Sequence, residues 1–453
     1  MSDTSKNKKC LLNPGEDVVK VLVPINQRSA NEVSNNIVLE MGERGPLKAS
    51  ENFCRVLERD ERIRGAICYN EIAYRRWVRG YVPWEPEPVD RAWTDSDDAW
   101  LRRWMWVNYK LKGKDDLDDA IQIAQSLNTI NPVREYFDSL EWDGKSRIDT
   151  MLPDYLGAEM TEYNSAVLRV FLLGAVARIY RPGTKFDYCM IFSGPQGCGK
   201  STFLSRLAIK PEWFNDGLST MSADKSRIVE QLSGRFIIEL SELSALKRTS
   251  DLETIKAFIT ATFDVYRAPY ARYEEQRPRM CVMAGSTNSH AFLSDKSGSR
   301  RFLPIEVGLH KAKRSLFDKA CQEDFEQLWA EAISIYKAGE YSLTLDRDME
   351  IEAEERRESY QEEDSREGII QEWLDNCSED LVCVPMIYEQ ALGELGKPTR
   401  RTSNELHEIM RNKKIIRGWS LHPSRRFRCG KYGTQICYVR DKVPEKANPV
   451  ELL

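Results

Sequence analysis

Histidine is scarce in this chain of 453 residues: there are four, His290, His310, His407 and His422, and they do not cluster. The eleven cysteines are scattered and odd in number, and no two have the C-x2-C spacing of a zinc site. Those absences argue against a metal cage and against a disulfide framework; most thiols are expected as reduced, buried small hydrophobes. Long apolar runs are missing as well. No stretch approaches the roughly 20 apolar residues of a membrane span. The beginning of the chain carries Lys6, Lys8, Lys9, Glu16 and Asp17 where a signal peptide would place its apolar region. A soluble, cytoplasmic protein with no membrane partner is the expectation. A large excess of positive charge is also lacking, since the formal net charge is −5. That excludes a uniformly basic coat but not nucleic acid, because a channel can concentrate cations on an inner surface.

What is present is enough for real cores. Apolar residues make up 41% of the chain and charged residues 30%, and the length exceeds one typical domain. Residues 1–44 are polar, without sustained periodicity, and read as a partly disordered segment. Residues 45–180 read as a mostly helical N-terminal domain serving as a collar or oligomerisation module. Its dense tryptophans, among them Trp77, Trp84, Trp93, Trp100, Trp104, Trp106 and Trp142, are expected as core because each ring buries a large area. Within it Asp115–Leu127 reads as an amphipathic helix, Pro132-Val133 opens a further segment, and Trp142-Asp143-Gly144 marks a turn. Residues 181–345 alternate strand-like and helix-like runs. Tyr188–Phe192, Phe236–Ile238 and Met280–Ala284 are nearly continuous apolar runs, the pattern of strands covered on both faces of a parallel sheet, so an α/β core is expected. Residues 346–367 carry both charges in excess and read as a solvated helix or linker. Residues 368–453 read as a small, basic, winged-helix-like domain, with a helix over Pro398–Asn412 and a hairpin over Phe427–Val439 turning at Lys431-Tyr432-Gly433.

The central segment holds the chemistry. Gly194-Pro195-Gln196-Gly197-Cys198-Gly199-Lys200-Ser201 fits the pattern G-x-x-x-x-G-K-[ST], and Thr202 to Ala208 continues as a helix. Glycines let the backbone curl so that successive N–H groups and the helix N-terminus face phosphates. Lys200 is suited to neutralise β/γ-phosphate charge and the Ser201 hydroxyl to ligate Mg2+. ATP and Mg2+ are therefore the expected ligands, with residues 194–202 as the cradle. Hydrolysis also needs carboxylates at the end of a neighbouring strand, and Arg235 to Glu242 offers two. Glu239, directly after the apolar run, is assigned with Ser201 to Mg2+, and Glu242 to water activation; the two roles are open to exchange. Asn288, after the third run, is suited to orient the water. Arg300 and Arg301, on a Gly/Ser loop, suit an arginine finger that reaches a neighbour's ATP. Cys198 leaves the loop open to oxidation.

Together these pieces carry a resemblance. From about Asn131 to Val307, Trp142-Asp143-Gly144, Gly194–Thr202, Ile238–Glu242, Gly285-Ser286-Thr287-Asn288 and Gly298–Phe302 resemble the virulence-associated protein E family of phages and mobile elements. That family is similar to superfamily 3 helicases within the AAA+ class. The resemblance implies an α/β P-loop NTPase core of this AAA+-like, superfamily 3 type. It implies a homo-oligomeric ring, a hexamer, moving along DNA as a phage or mobile element replicates in a bacterial or infected host cytoplasm. It makes Lys200 and Ser201 the Walker A pair, Glu239 and Glu242 the Walker B carboxylates, Asn288 sensor 1, and Arg300 or Arg301 the finger acting in trans. It further implies that Lys256 to Arg279 forms a hairpin lining a central pore. There Lys256, Arg267, Tyr270, Arg272 and Tyr273 would meet single-stranded DNA, cations on phosphates and rings on bases; Arg277 and Arg279 belong to the same stretch. Larger relatives carry a primase domain upstream, and no primase carboxylate set is recognisable before residue 130, so a separate primase or initiator is an expected partner.

Between Lys397 and Lys431 the many basic residues face only Glu405 and Glu408, a balance that points to a duplex-DNA or origin-binding module. Docking of this basic segment on the acidic residues 346–367 is the competing reading. The whole chain reads as an ATP-dependent DNA helicase or translocase. Two alternatives stay open: a non-motor DNA-binding initiator or scaffold that uses ATP for assembly, and a small-molecule P-loop kinase.

Overall fold

The computed structural model describes residues 37–217, 225–241, 249–267, 273–289, 292–293, 299–360, 364–413, 415–424 and 426–441. Contacts divide the chain into two compact units, Met1–Tyr360 and Gln361–Leu453.

The first unit begins with a small layered region. Helix α1 (Ser50–Arg59) leads into an antiparallel meander of β1 (Ile67–Asn70), β2 (Arg75–Gly80) and β3 (Val89–Ala92). Helices α2 (Asp95–Tyr109) and α3 (Lys114–Leu127) follow, and β4 (Thr129–Ile130) then adds parallel to β1. Phe53, Val56, Ile67, Val78, Leu101 and Leu117 share one core. This four-stranded sheet lies among the expected helices, which outweigh strand across residues 45–180, and its strands are not legible in the sequence. The reason is local: β2 reads Arg-Arg-Trp-Val-Arg-Gly with only Val78 fully buried, so almost no period-two signal survives in it. Trp93 and Trp104 are core as expected, whereas Trp106 and Trp142 are 42% and 40% exposed. Helix α2 starts where Asp97 accepts from both the backbone N–H and the hydroxyl of Thr94, satisfying donors that a helix start leaves open.

The chain then builds its main core. Helices α4 (Pro132–Asp138), α5 (Met151–Leu156) and α6 (Glu162–Tyr180) precede β5 (Cys189–Ser193) and α7 (Lys200–Leu207). Strand β6 (Phe214–Asn215), helix α8 (Lys225–Leu232), strand β7 (Ile237–Leu240) and helix α9 (Thr249–Thr260) come next. A hairpin of β8 (Phe263–Tyr266) and β9 (Glu275–Pro278) feeds into β10 (Val282–Thr287), and β11 (Phe302–Glu306), α10 (Ala320–Ala338) and α11 (Arg347–Ser359) complete the unit. Strands β11, β5, β10, β7 and β6 lie side by side in that order, all parallel. All three expected strands are present, and β6 and β11 join them at the edges. Helix α6 is buried on nearly every side, as a helix apolar all round must be. It shares its core with β5, β10 and α10, so residue 180 falls inside one hydrophobic core rather than between two. Helix α11 departs from a free linker: Ala353 is fully buried and Arg357 is 1% exposed.

The second unit contains α12 (Ser365–Asn376), β12 (Leu381–Cys383), a helical turn over Val384–Ala391, α13 (Arg400–Arg411), β13 (Trp419–Leu421), the hairpin β14 (Phe427–Arg428) and β15 (Thr434–Gln435), and β16 (Cys437–Arg440). Strands β12, β16 and β13 form an antiparallel sheet with β16 in the middle. Leu374, Leu406, Met410, Trp419 and Tyr438 fill its core.

Candidate active site

The sheet places its site by topology. From β5 the chain moves out to one edge of the sheet through β6 and β7, then returns through β10 to lay β11 on the other side of β5. The crevice beyond the carboxyl end of β5 is therefore where strand order reverses, the position where open parallel sheets bind ligands. The glycine loop starts there. Gly194 is compulsory for a steric reason, because a Cβ on it would lie 2.2 Å from the Val307 carbonyl oxygen. Gly199 has a left-handed φ of 95° at the entry to α7. Phe203, Leu204 and Leu207 bury one face of α7 in the core, and the Trp329 indole holds the Leu207 carbonyl at 2.8 Å. That anchoring fixes the helix with its N-terminus toward the loop.

Five side chains converge on this edge. Lys200, 8% exposed, donates from Nζ to Gly194 O at 2.7 Å, Pro195 O at 2.8 Å and Asn288 Oδ1 at 2.8 Å. Ser201 Oγ donates to Glu239 Oε1 at 2.7 Å, and Ser286 Oγ donates to the same oxygen at 2.5 Å. Glu239 itself is fully buried, and its Oε2 has no hydrogen-bond partner. The parallel register accounts for the convergence: Thr287 pairs with Ser193 and Ala284 with Glu239, so β5 and β10 end level and Glu239 lies next to the end of β7, which stops two residues short of them. A buried carboxylate oxygen with no donor is costly unless a cation or a donor reaches it. No group of three acidic, cysteine or histidine side chains among the described residues can encage a metal. One carboxylate and one hydroxyl are, however, the sparse oxygen set with which Mg2+ is held alongside phosphates and water. The residues present fit that ion.

The other expected residues divide. Glu242, Tyr270 and Arg272 lie outside the described residues. Arg267 and Tyr273 are exposed near the hairpin tip, Tyr273 at 70%. Lys256 departs from the expectation of a DNA contact: on α9 it is 3% exposed, so a strand passing along the surface does not reach it. Arg277 and Arg279 are likewise buried at the hairpin base. Arg277 lies over the rings of Tyr266 at 4.1 Å and Tyr74 at 4.9 Å, and Arg279 pairs with Asp264 at 2.7 Å while covering Phe258. Both anchor the hairpin. Arg300 is exposed and Arg301 half-buried on a short helical turn that opens β11. Arg357 of α11 reaches the Arg300 carbonyl at 3.5 Å and bonds Glu354 at 2.7 Å. Sequence spacing gives Ser286 no role; only the order of strands brings it against Glu239.

Fold and site together define an α/β protein with an all-parallel sheet, whose loop, helix and strand ends are compatible with a nucleotide-binding core. Residues 137–362 match the family model of the virulence-associated protein E-like domain, and the chain belongs to that family. Among solved structures it is similar to the apo NrS-1 C terminal region (305–718), at 14% identity and a TM-score of 0.45 over 83% of this chain and 96% of that one. A second form of that region has 13% identity and a TM-score of 0.45, covering 87% of this chain and 100% of the other. No curated protein matches the chain. No helix among the described residues is long and apolar enough to cross a membrane.

Proposed function

We propose that the protein is an ATP-dependent DNA helicase or translocase that acts in the replication of a phage or mobile genetic element. The observation that carries this reading is the meeting of Lys200 with Asn288 and of Ser201 with Glu239, whose Oε2 has no hydrogen-bond partner, at the carboxyl edge of the sheet. Residues Gly194 to Thr202 cradle the phosphates of ATP. Ser201 and Glu239 hold Mg2+, which when bound supplies charge neutralisation at the reacting phosphate. Lys200 exchanges the Gly194 and Pro195 carbonyls for phosphate oxygens, and Asn288, its third partner, is then free to orient the attacking water. Glu242 takes the proton from that water.

The chain works as a homo-oligomeric ring of the AAA+-like, superfamily 3 type, a hexamer, in which an arginine from one subunit completes the site of the next. Exposure favours Arg300 over the half-buried Arg301 for that reach. Arg267, Tyr270, Arg272 and Tyr273 track single-stranded DNA from the hairpin. The second unit supports a winged-helix reading: its order is helix, strand, helix, helix, strand, hairpin, strand. Helix α13 turns Leu406, Ile409 and Met410 inward and leaves Arg400, Arg401 and Asn404 exposed, a face suited to duplex DNA. A separate primase or initiator is a partner in this scheme.

The deciding measurement is ATP hydrolysis by wild type and Lys200→Ala, with and without single-stranded DNA. Turnover is expected to rise with DNA and to disappear in the variant. Turnover indifferent to DNA sinks the motor reading and moves weight to phosphoryl transfer onto a small acceptor. Nucleotide-dependent oligomers without turnover would instead mark an assembly scaffold.

A further inference from the structure

From Ala99 to Lys114 the chain has five cations and three tryptophans and no acidic residue. The structure sorts these residues by face. Leu101, Trp104 and Met105 of α2 turn into the core, and Arg102, Arg103, Trp106, Val107 and Lys110 are exposed along one stripe at helical spacing. The first acids beyond it, Asp115 and Asp116, sit in the first turn of α3, where they match that helix's dipole. Where α2 gives way to α3 there is a hollow of about 180 Å³. Its floor is apolar, made by Phe53, Met105, Leu111 and Leu117, and its rim is Arg102, Trp106, Lys112 and Lys114. Lys112 Nζ stands 4.0 Å from the Trp106 ring centre, and Lys110 Nζ 5.3 Å. No ion pair joins Arg102, Lys112 or Lys114 to a described residue, whereas Arg62 and Arg76 nearby are paired with Asp60 and Asp98.

We propose that this hollow binds single-stranded nucleic acid, taking one unstacked base against Trp106 and the apolar floor and the flanking phosphates on Arg102, Lys112 and Lys114. The chemistry selects the ligand. A flat, apolar-floored recess with an indole at its lip suits an aromatic base, and the surrounding cations need anionic partners. An acidic peptide would satisfy the cations and leave the recess empty. A free nucleotide would use the recess and leave the stripe idle, because Arg102 to Lys110 spans about 12 Å of helix, at about 1.5 Å per residue. A strand uses both. The site stands apart from the glycine loop and does not depend on its hydrolysing ATP.

The test is binding of a fluorescein-labelled oligothymidylate to the full chain without nucleotide, read by anisotropy across a salt series. Trp106→Ala is expected to weaken binding by roughly 5- to 100-fold, the worth of one stacked base, and Trp106→Phe to restore most of it. Lys112→Ala and Lys114→Ala are each expected to make the slope of log affinity against log salt shallower by about 0.7. Photocrosslinking of a thiothymidine strand, mapped by mass spectrometry, separates this site from the hairpin; a crosslink within residues 99–117 is expected. All these side chains are on the surface, and an unchanged melting temperature would show that the variants are folded. The proposal is overturned if the variants bind as wild type does, or if crosslinks fall only within residues 263–278. It is equally overturned if thymidine monophosphate competes as well as the strand, or if duplex binds as tightly and loses as much in the variants.

Discussion

Glu239 has two unequal oxygens: Oε1 accepts from two hydroxyls, Ser201 and Ser286, and Oε2 from none. Of those donors, Ser201 belongs to the phosphate loop and is expected to turn toward a metal. Ser286 is then the group that keeps the carboxylate rotamer fixed. Partners that orient a metal ligand are typically worth about 10- to 100-fold in metal affinity or activity. Ser286→Ala is therefore expected to raise by about that factor the Mg2+ concentration giving half-maximal ATP hydrolysis, with the melting temperature little changed. An unchanged Mg2+ dependence would mean that β7 alone holds the carboxylate. The loop residues of this site were legible in the sequence because their pattern is itself the geometry: glycines where the backbone curls, then Lys200 and Ser201 on the first helical turn. Ser286 was not, since its role depends on β10 lying next to β7, a pairing between strands separated by a helix and a hairpin.

At the scale of elements, legibility followed signal strength. The apolar strands β5, β7 and β10, the helix over Lys114–Leu127 and the hairpin near Lys431 were all read from pattern or turn chemistry. The short strands β1 to β4, of which β2 and β3 carry charges, were not, and neither was the docking of α11, whose inward face carries an arginine. One local device in that region can be measured. Asp97, 1% exposed, binds Arg91 through both oxygens at 2.7 and 2.9 Å, the Trp84 indole at 2.9 Å and Thr94. Burial alone would raise its pKa, but the Arg91 guanidinium, Thr94 and Trp84 outweigh it and hold the carboxyl well below the usual range. A depressed folded-state pKa stabilises fully above the unfolded value of about 3.9, and the contribution drains away as pH falls below it. Asp97→Asn is accordingly expected to cost about 2 kcal/mol at pH 7, a figure kept modest because Arg91 is partly solvated. In thermal melts the gap between variant and wild type should narrow as pH drops below about 4. A gap independent of pH down to 3 would show that packing, not charge, is what Asp97 supplies.

The whole molecule raises a question that one chain cannot answer by its own geometry, namely whether the site is complete within it. Lys200, Ser201, Glu239 and Asn288 come together inside a single core, but the arginines of the turn Ser299–Arg301 lie at the start of β11, which runs parallel to β5 with Phe302 paired to Cys189. Phe302 and Cys189 are at the amino ends of their strands, whereas the glycine loop follows the carboxyl end of β5. With roughly 3.3 Å of rise per residue, β5 alone separates the two ends by about 13 Å. The exposed Arg300 is thus set toward the edge of the sheet remote from its own loop, an arrangement that suits delivery to a neighbour in a head-to-tail ring. If that is its use, Lys200→Ala and Arg300→Ala are each inactive alone but complementary when mixed. The Arg300→Ala subunit keeps an intact loop, and the Lys200→Ala neighbour still offers the arginine. In a random equal mixture about a quarter of the head-to-tail interfaces have both parts intact, so hydrolysis is expected to return to a substantial fraction of that share. Double-variant protein, with both changes in every chain, should give none. Recovery on mixing would establish that catalysis is shared between subunits. Two inactive variants that stay inactive together, while still forming oligomers, would return the arginine to its own chain and remove the main reason for requiring a ring.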